Sequence, residues 1–401
     1  MLVNILNKYF ESKEQKLLTT ELENSEWMAR FKSGFKSNGK DNLADVESKF
    51  ISRTELEKII SFTEENLTPT KFLEFLIDIG RLGIEVGQFE LAYFIFNKII
   101  SGSSDSKRAN SNHAYSLLNL GEIALNKNKW KEALKLLKKA EKLLVELNDN
   151  QGIARTKNLI GNIYGEQNNF KKALKYWEEG LTFLKGKQSK IIRAGIINNM
   201  GIIYNMIGEY DKAYNNYTRA LVEFESTESF LKIAQTKHNL GMLFLKKKQF
   251  DEAYKYFNES LSLSYKIRSL SQIAITYVSK AELYTSLNEM ALAEVFVERS
   301  LENAYMLEDN LTIADSFKVK GIIEREKDNF KLSLNHFKTS IRFAKHYNAN
   351  LIHAEALMEC GKLYEKQNDA KNASKLYNEA KDIFKRIGAK ADHKVVESLL
   401  A

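Results

Sequence analysis

Residues able to do chemistry are few and scattered in this chain. The histidines are His113, His238, His336, His346, His353 and His393, and none forms the HExxH pair that lets a helix hold zinc. Cys360 is the single cysteine, which excludes an internal disulfide and fits a reducing compartment. It falls on the buried position just before Gly361, one of a series of regularly spaced small residues, and is read as a core thiol. Gly80, Gly83 and Gly87 have the look of a phosphate loop, yet they lie within a helical period with no strand ahead of them. No GK[ST] motif or nucleophile elbow is present. The residues therefore predict no catalysis, no cofactor and no metal. Glu178, Glu179, Glu355 and Glu359 stand among lysines and are read as solvated helix faces. Lys131, Lys135, Lys138, Lys139 and Lys142 share one polar face with no interleaved aromatic, so nucleic acid is not the expected partner.

Chemistry that depends on position needs a scaffold, and here the scaffold is a repeat. Ala114, Ala154, Ala194, Ala234, Ala274, Ala314 and Ala354 fall forty residues apart. Seven residues after each stands Gly121, Gly161, Gly201, Gly241, Ala281, Gly321 or Gly361. Three further on come Tyr164, Tyr204, Phe244, Tyr284 and Tyr364, with Ala124 and Glu324 as departures. A second series holds Trp130, Phe170, Tyr210, Phe250, Met290 and Phe330, with Ala133, Ala173, Ala213, Ala253, Ala293 and Ser333 three later. Small residues recur again at Ala140, Gly180, Ala220, Ser260, Ser300, Ser340 and Ala380. An earlier unit, one residue out of step, shows Gly80, Phe89 and Ala92.

Within a unit apolar residues recur at three and four, the signature of amphipathic helices. Glycine inside a helix costs about 1 kcal/mol relative to alanine, so its recurrence answers a steric need. Two antiparallel helices must cross where only Gly or Ala fits, with the aromatic three residues on filling the gap beside it. Gly201→Leu should therefore damage the middle units. Short polar connections such as 126–129, 166–169 and 206–209 join the helices.

Composition agrees. Hydrophobic residues make up 44% and charged residues 28%, while one proline and 19 glycines over 401 residues leave too few breakers for an all-β fold. The net charge of +8 is spread over single lysines. The opening MLVNILNKYF is interrupted by Asn4, Asn7 and Lys8 and is not read as a signal peptide. No apolar run is long enough to span a membrane, which takes about 18 residues or more. A cytoplasmic protein is expected.

The repeat resembles the tetratricopeptide repeat, a helix-turn-helix unit whose characteristic positions appear here as Leu120-Gly121, Ala133, Ala140, Tyr164 and Phe257. Its forty-residue length, longer than the usual 34, is similar to that of kinesin light chains, cell-polarity adaptors and bacterial peptide-pheromone receptors of the Rap type. The closing proline of the usual unit is missing. The resemblance implies an all-α, right-handed α-solenoid of about eight repeats over residues 68–387. An N-terminal helical region, 1–67, would precede it as cap or effector bundle, and a capping helix would follow over 388–401. In the N-terminal region, Trp27, Met28, Phe31 and Phe35 form an apolar stripe and Gly34 and Gly39 a loop. Ser52 with Glu55 makes a capping box for a helix over 55–66, and Thr68 with Pro69 opens the first repeat.

The same resemblance puts the first helix of each unit on the concave wall. Its inner positions hold Asn119, Asn158, Asn162, Asn198, Asn199, Asn205 and Asn239, with Arg155 and His238 nearby. A row of amides, each donor and acceptor, can pair with a peptide backbone whatever its sequence. Leu159, Ile202, Met206, Met242 and Leu245 would share that wall. Asn158, Asn162, Asn199 and Asn239 come from successive units and should form one strip, whereas Asn128 and Asn168 lie in turns and should tolerate alanine. The expected function is a non-enzymatic scaffold that binds a peptide or helical segment of another protein. The alternative is a peptide-regulated signalling receptor resembling the Rap type, with the N-terminal helices as effector region.

Overall fold

The computed structural model of the chain describes residues 2–11, 14, 53–85, 88–101, 107–186 and 189–401, and among these all regular structure is helical. The chain divides into two compact units, Met1–Ile163 and Tyr164–Ala401, with the division inside the helix Asn150–Glu166. Trp27, Met28, Phe31, Phe35, Gly34, Gly39, Gly87 and the capping residue Ser52 lie outside the described residues.

In the first unit, helices Leu2–Tyr9 and Arg53–Asn66 precede the pairs Pro69–Glu85 with Phe89–Ser101 and Lys107–Asn126 with Trp130–Glu146. Pro69 opens its helix as expected, and the Lys71 amide lies 3.5 Å from the Thr68 hydroxyl. Leu6, Phe10, Leu56, Ile59 and Phe62 share a core with Phe75 and Phe96. The Phe10 ring stands 5.6 Å from Phe62 and 6.4 Å from Phe75, and Lys8 and the Tyr9 hydroxyl both bind Asp78 on the first repeat. The described helices before residue 68 thus pack against the first repeat.

In the second unit the period is seen most regularly. Helices Phe230–Lys246, Phe250–Lys266, Leu270–Ser286, Met290–Met306, Asn310–Glu326, Phe330–His346, Asn350–Lys366 and Ala370–Arg386 each run 17 residues. Consecutive helices are joined by three-residue turns, and Lys390–Leu400 follows Gly388 as the final helix.

Gly121, Gly201, Gly241, Gly321 and Gly361 do sit at helix crossings, but the residue three positions on is not what closes them. A Cβ on Gly201 would meet Tyr217 at 2.7 Å, one on Gly241 would meet Phe257 at 2.6 Å and one on Gly321 would meet Phe337 at 2.6 Å. Each blocking side chain stands sixteen residues after its glycine, on the partner helix. Where the glycine is replaced by Ala281, the residue sixteen on is Val297, and both are fully buried in one cluster. The aromatic three after the glycine stacks instead on a ring twelve residues later. Tyr164 lies on Tyr176 at 5.4 Å, Phe244 on Tyr256 at 5.5 Å and Tyr284 on Phe296 at 5.2 Å.

The recurring serines also gain a reason. Buried Ser260 and Ser300 donate to the carbonyls of Ala234 and Ala274 at 2.8 and 2.9 Å, tying the second helix of a unit to the first.

Candidate peptide-binding wall

The inner helices bring the predicted residues together in two groups, one in each compact unit. In the first unit, Asn119 is completely buried and its Oδ1 accepts from the Arg155 guanidinium at 3.1 Å. The same guanidinium binds Glu122 at 2.7 Å. Asn119 Nδ2 and Arg81 Nε are buried without a hydrogen-bond partner, and the Arg81 guanidinium lies 5.6 Å from the centre of the Tyr115 ring. Burial, with Arg155 as a like charge nearby, lowers the Arg81 pKa. Asn158 and Asn162 lie half-buried one helical turn apart on the helix that carries Arg155.

In the second unit, Asn198, Asn199 and Asn205 occupy the helix Lys190–Ile207, and His238 and Asn239 the helix Phe230–Lys246. All five are half-buried. Asn198 Oδ1 accepts from Asn239 Nδ2 and from the Thr236 hydroxyl, both at 3.4 Å. Those lengths mark weak bonds between neighbouring units. Asn205 Oδ1 is buried with no hydrogen-bond partner. His238 Nε2 lies 2.9 Å from the Ser279 hydroxyl on the next inner helix, and burial drives the imidazole pKa down to about 4, so the ring is neutral at physiological pH. Met206, Met242 and Leu245 are half-buried, and Ile202 is 39% exposed, so apolar surface is at hand beside the amides. Leu159, by contrast, is buried in the first unit's packing.

Further along the second unit the wall changes from amides to charges, which sequence reasoning missed. Lys318 is buried with Nζ 2.7 Å from Glu282, 2.7 Å from Asp315 and 2.6 Å from Glu355, spanning three successive inner helices. Among the described residues these carboxylates are the group close enough to hold a metal ion, and the lysine ammonium already stands at their centre. Burial pushes Glu282 up to about 7 against the pull of Lys318. Arg325 binds Glu359 at 2.8 Å, and Glu359 also accepts from Lys362 at 2.7 Å. Burial would raise the Glu359 pKa, but Lys362 and Arg325 together hold it below the usual carboxylate range. Glu355 and Glu359, expected on solvated faces, are thus withdrawn into ion pairs. Their lysine and arginine partners come from inner helices, not from the surface. Exposed Glu178 and the loose Lys175–Glu179 pair at 4.0 Å match that expectation. The signal for the charged half was present in the spacing: Lys318 stands three residues before Gly321, as Asn198 and His238 stand before Gly201 and Gly241.

Cys360 is buried and its thiol pKa is pushed up to about 12 by burial, so it is a core residue as read. Among the described residues no helix is long and apolar enough to cross a membrane.

The comparisons with known proteins accord with this architecture. Residues 112–185 and 193–266 match the tetratricopeptide repeat. The Rap conjugation gene regulator of plasmid pLS20, solved with the Phr* peptide, superposes with a TM-score of 0.61 at 17% identity, over 84% of this chain and 91% of that one. The apo quorum sensor NprR from B. thuringiensis gives 0.57 at 15% identity, over 92% and 99% of the two chains. Aspartyl phosphate phosphatase F from Bacillus subtilis gives 0.60 at 13%, over 92% of each. At such identities the likeness is one of fold. Curated protein sequences give no match. The chain is a repeat protein of the tetratricopeptide type, an all-α solenoid.

Proposed function

We propose that this protein binds a peptide or helical segment of another protein along its inner helices and acts as an interaction scaffold or peptide-responsive regulator. The observation that carries the reading is the polar row at two adjacent positions of successive inner helices in the second unit. Asn198 with Asn199, His238 with Asn239, and Ser279 occupy a place where a purely structural array would bury apolar side chains. Within the row Asn198 accepts from Asn239 and Thr236 over 3.4 Å, weak bonds that a peptide backbone can replace with better ones. The charged half is tied together by ion pairs around Lys318 and Arg325 and serves as a rigid base. Two solved proteins of like fold are described in complexes, one with the Phr* peptide and one with Competence and Sporulation Factor, and that analogy supports the same use of the fold here.

Asn199→Ala with Asn239→Ala tests the reading. Each lost amide removes hydrogen bonds worth roughly 0.5–1.5 kcal/mol apiece, so capture of the native partner from cell lysate should weaken about tenfold or more. The helices should keep their melting temperature within a few degrees, because alanine is the better helix former. Undiminished capture by a folded double variant overturns the clamp.

A further inference from the structure

The last helix, Lys390–Leu400, makes contacts that a simple end cap does not need. One face packs on its own neighbours, with Val396 buried among Leu357, Tyr377 and Phe384. Its first turn reaches helices much earlier in the chain, Lys190–Ile207 and Phe230–Lys246. A Cβ on Gly208, at the end of the helix Lys190–Ile207, would lie 3.4 Å from the Ala391 methyl. Lys246 Nζ, at the end of the helix Phe230–Lys246, lies 3.0 Å from Asp392 Oδ2, and both side chains are less than a quarter exposed. Just before the helix, Gly388 takes a φ of +69° and presses against the Phe170 ring. The ion pairs Lys318–Glu355 and Arg325–Glu359 join adjacent repeats, whereas Lys246–Asp392 spans 146 residues. Glu355 and Lys318 are within electrostatic reach of Asp392, so the pair extends the charged wall around to the amide-bearing helices.

We propose that the helix 390–400 is a built-in occupant of the inner wall at Lys246: it clasps the second unit shut, and an external segment presenting a carboxylate competes with it for that lysine. The inference rests on the inner helices being the binding wall, and it names the partner's chemistry as a helix or strand with an acidic residue flanked by small and apolar ones. ADHKVVESLL shows the pattern, with Ala391 and Asp392 meeting the wall and Val396 the neighbouring repeat. A tethered segment competes at a high effective concentration, which keeps the wall covered until a stronger ligand arrives. A half-buried ion pair suits a releasable contact, because its net stabilisation is small while its loss leaves a charge unpaired.

The test uses the full chain and a fluorescent peptide of residues 388–401. In Asp392→Lys the chain's own helix is repelled from Lys246, so amides of 390–400 and of the last turn of 190–207 should exchange with deuterium at least tenfold faster than in wild type. The peptide should then bind Asp392→Lys at least tenfold more tightly than wild type. The swap Lys246→Asp with Asp392→Lys should restore slow exchange, which guards against mere misfolding of the single variant. Unchanged exchange in 390–400, equal peptide binding by both chains, or fast exchange persisting in the swap overturns the clasp. Failure here leaves the amide clamp untouched, since that reading is decided by partner capture with the asparagine variants.

Discussion

Side-chain volume is shared between two residues sixteen apart, and the sharing is visible because one repeat solves it differently. Gly201 with Tyr217, Gly241 with Phe257 and Gly321 with Phe337 place a large ring where the glycine has no Cβ. Ala281 with Val297 divides the same space more evenly. Gly201→Ala should therefore destabilise by roughly 1–3 kcal/mol despite alanine's better helix propensity, because the ring must leave its rotamer. Tyr217→Val alone should cost more, through the lost ring and the cavity it leaves. Combined, they recreate the natural Ala281/Val297 pair, so the double variant should be at least about 1 kcal/mol more stable than the sum of the singles implies. Urea denaturation of the four chains measures this; strict additivity would show that the two residues do not share one space.

At the scale of the helix, the chain is punctuated every twenty residues by a left-handed residue. Asn128, Asn148, Asn168, Glu228, Lys248, Arg268, Asn288, Glu308, Asp328, Asn348 and Asn368 all have φ between 51° and 61°, and Gly208 and Gly388 fall in the same series. The amide after each residue reaches back five residues, as Gln249 does to Phe244 at 2.9 Å and Lys129 to Ala124 at 2.8 Å. This turn replaces the missing proline: a left-handed residue stops the helix as firmly as a ring that cannot continue it. Asn128 and Asn168 are therefore not the neutral turn positions that their polar surroundings suggest. Asn168→Ala should cost up to about 1 kcal/mol, because asparagine's short polar side chain tolerates this left-handed backbone better than alanine's methyl does. Lys248→Gly should stabilise by roughly 0.5 kcal/mol, since glycine's freedom in the unfolded chain offsets part of the relief. Thermal melts in which Asn168→Ala equals wild type would contradict the turn assignment.

Across the second unit as a whole, Lys318 joins three inner helices into one electrostatic body. It is 5% exposed and holds three carboxylates, so its removal leaves negative charges with no cation between them. Lys318→Met should destabilise by about 3–5 kcal/mol at pH 8, the cost of breaking a buried ion pair from one side. The deficit should shrink towards pH 5. Burial raises the folded-state pKa of Glu282 to about 7, and a raised carboxyl contributes stability that is present at low pH and lost as pH rises through that value. Without the lysine that rise is larger, so protonation relieves more of the damage. Melting curves at pH 5 and pH 8 decide it, and a deficit independent of pH would mean the cluster is held by packing instead.

What the sequence determined by itself was everything periodic. A forty-residue spacing of Ala and Gly, with apolar residues at three and four, leaves helix pairs as the one way to bury each unit's stripe, and the helices fall where the spacing puts them. Pro69 as a helix start, the helix after Gly388 and the buried thiol of Cys360 were legible for the same reason: each depends on a few adjacent residues. The asparagine row was legible as residue types at a repeated position, but not as geometry. Only the tertiary structure decided that Asn119 is wholly buried under Arg155, that Asn198 shares its carbonyl between Thr236 and Asn239, and that the carboxylates of Glu355 and Glu359 turn inward to lysine and arginine. It alone brought Lys246 to Asp392. The physical reason is common to all of these. Local spacing fixes which face of a helix a side chain occupies, whereas its partner is set by how neighbouring helices are rotated against one another and, for Lys246 with Asp392, by curvature accumulated over several repeats.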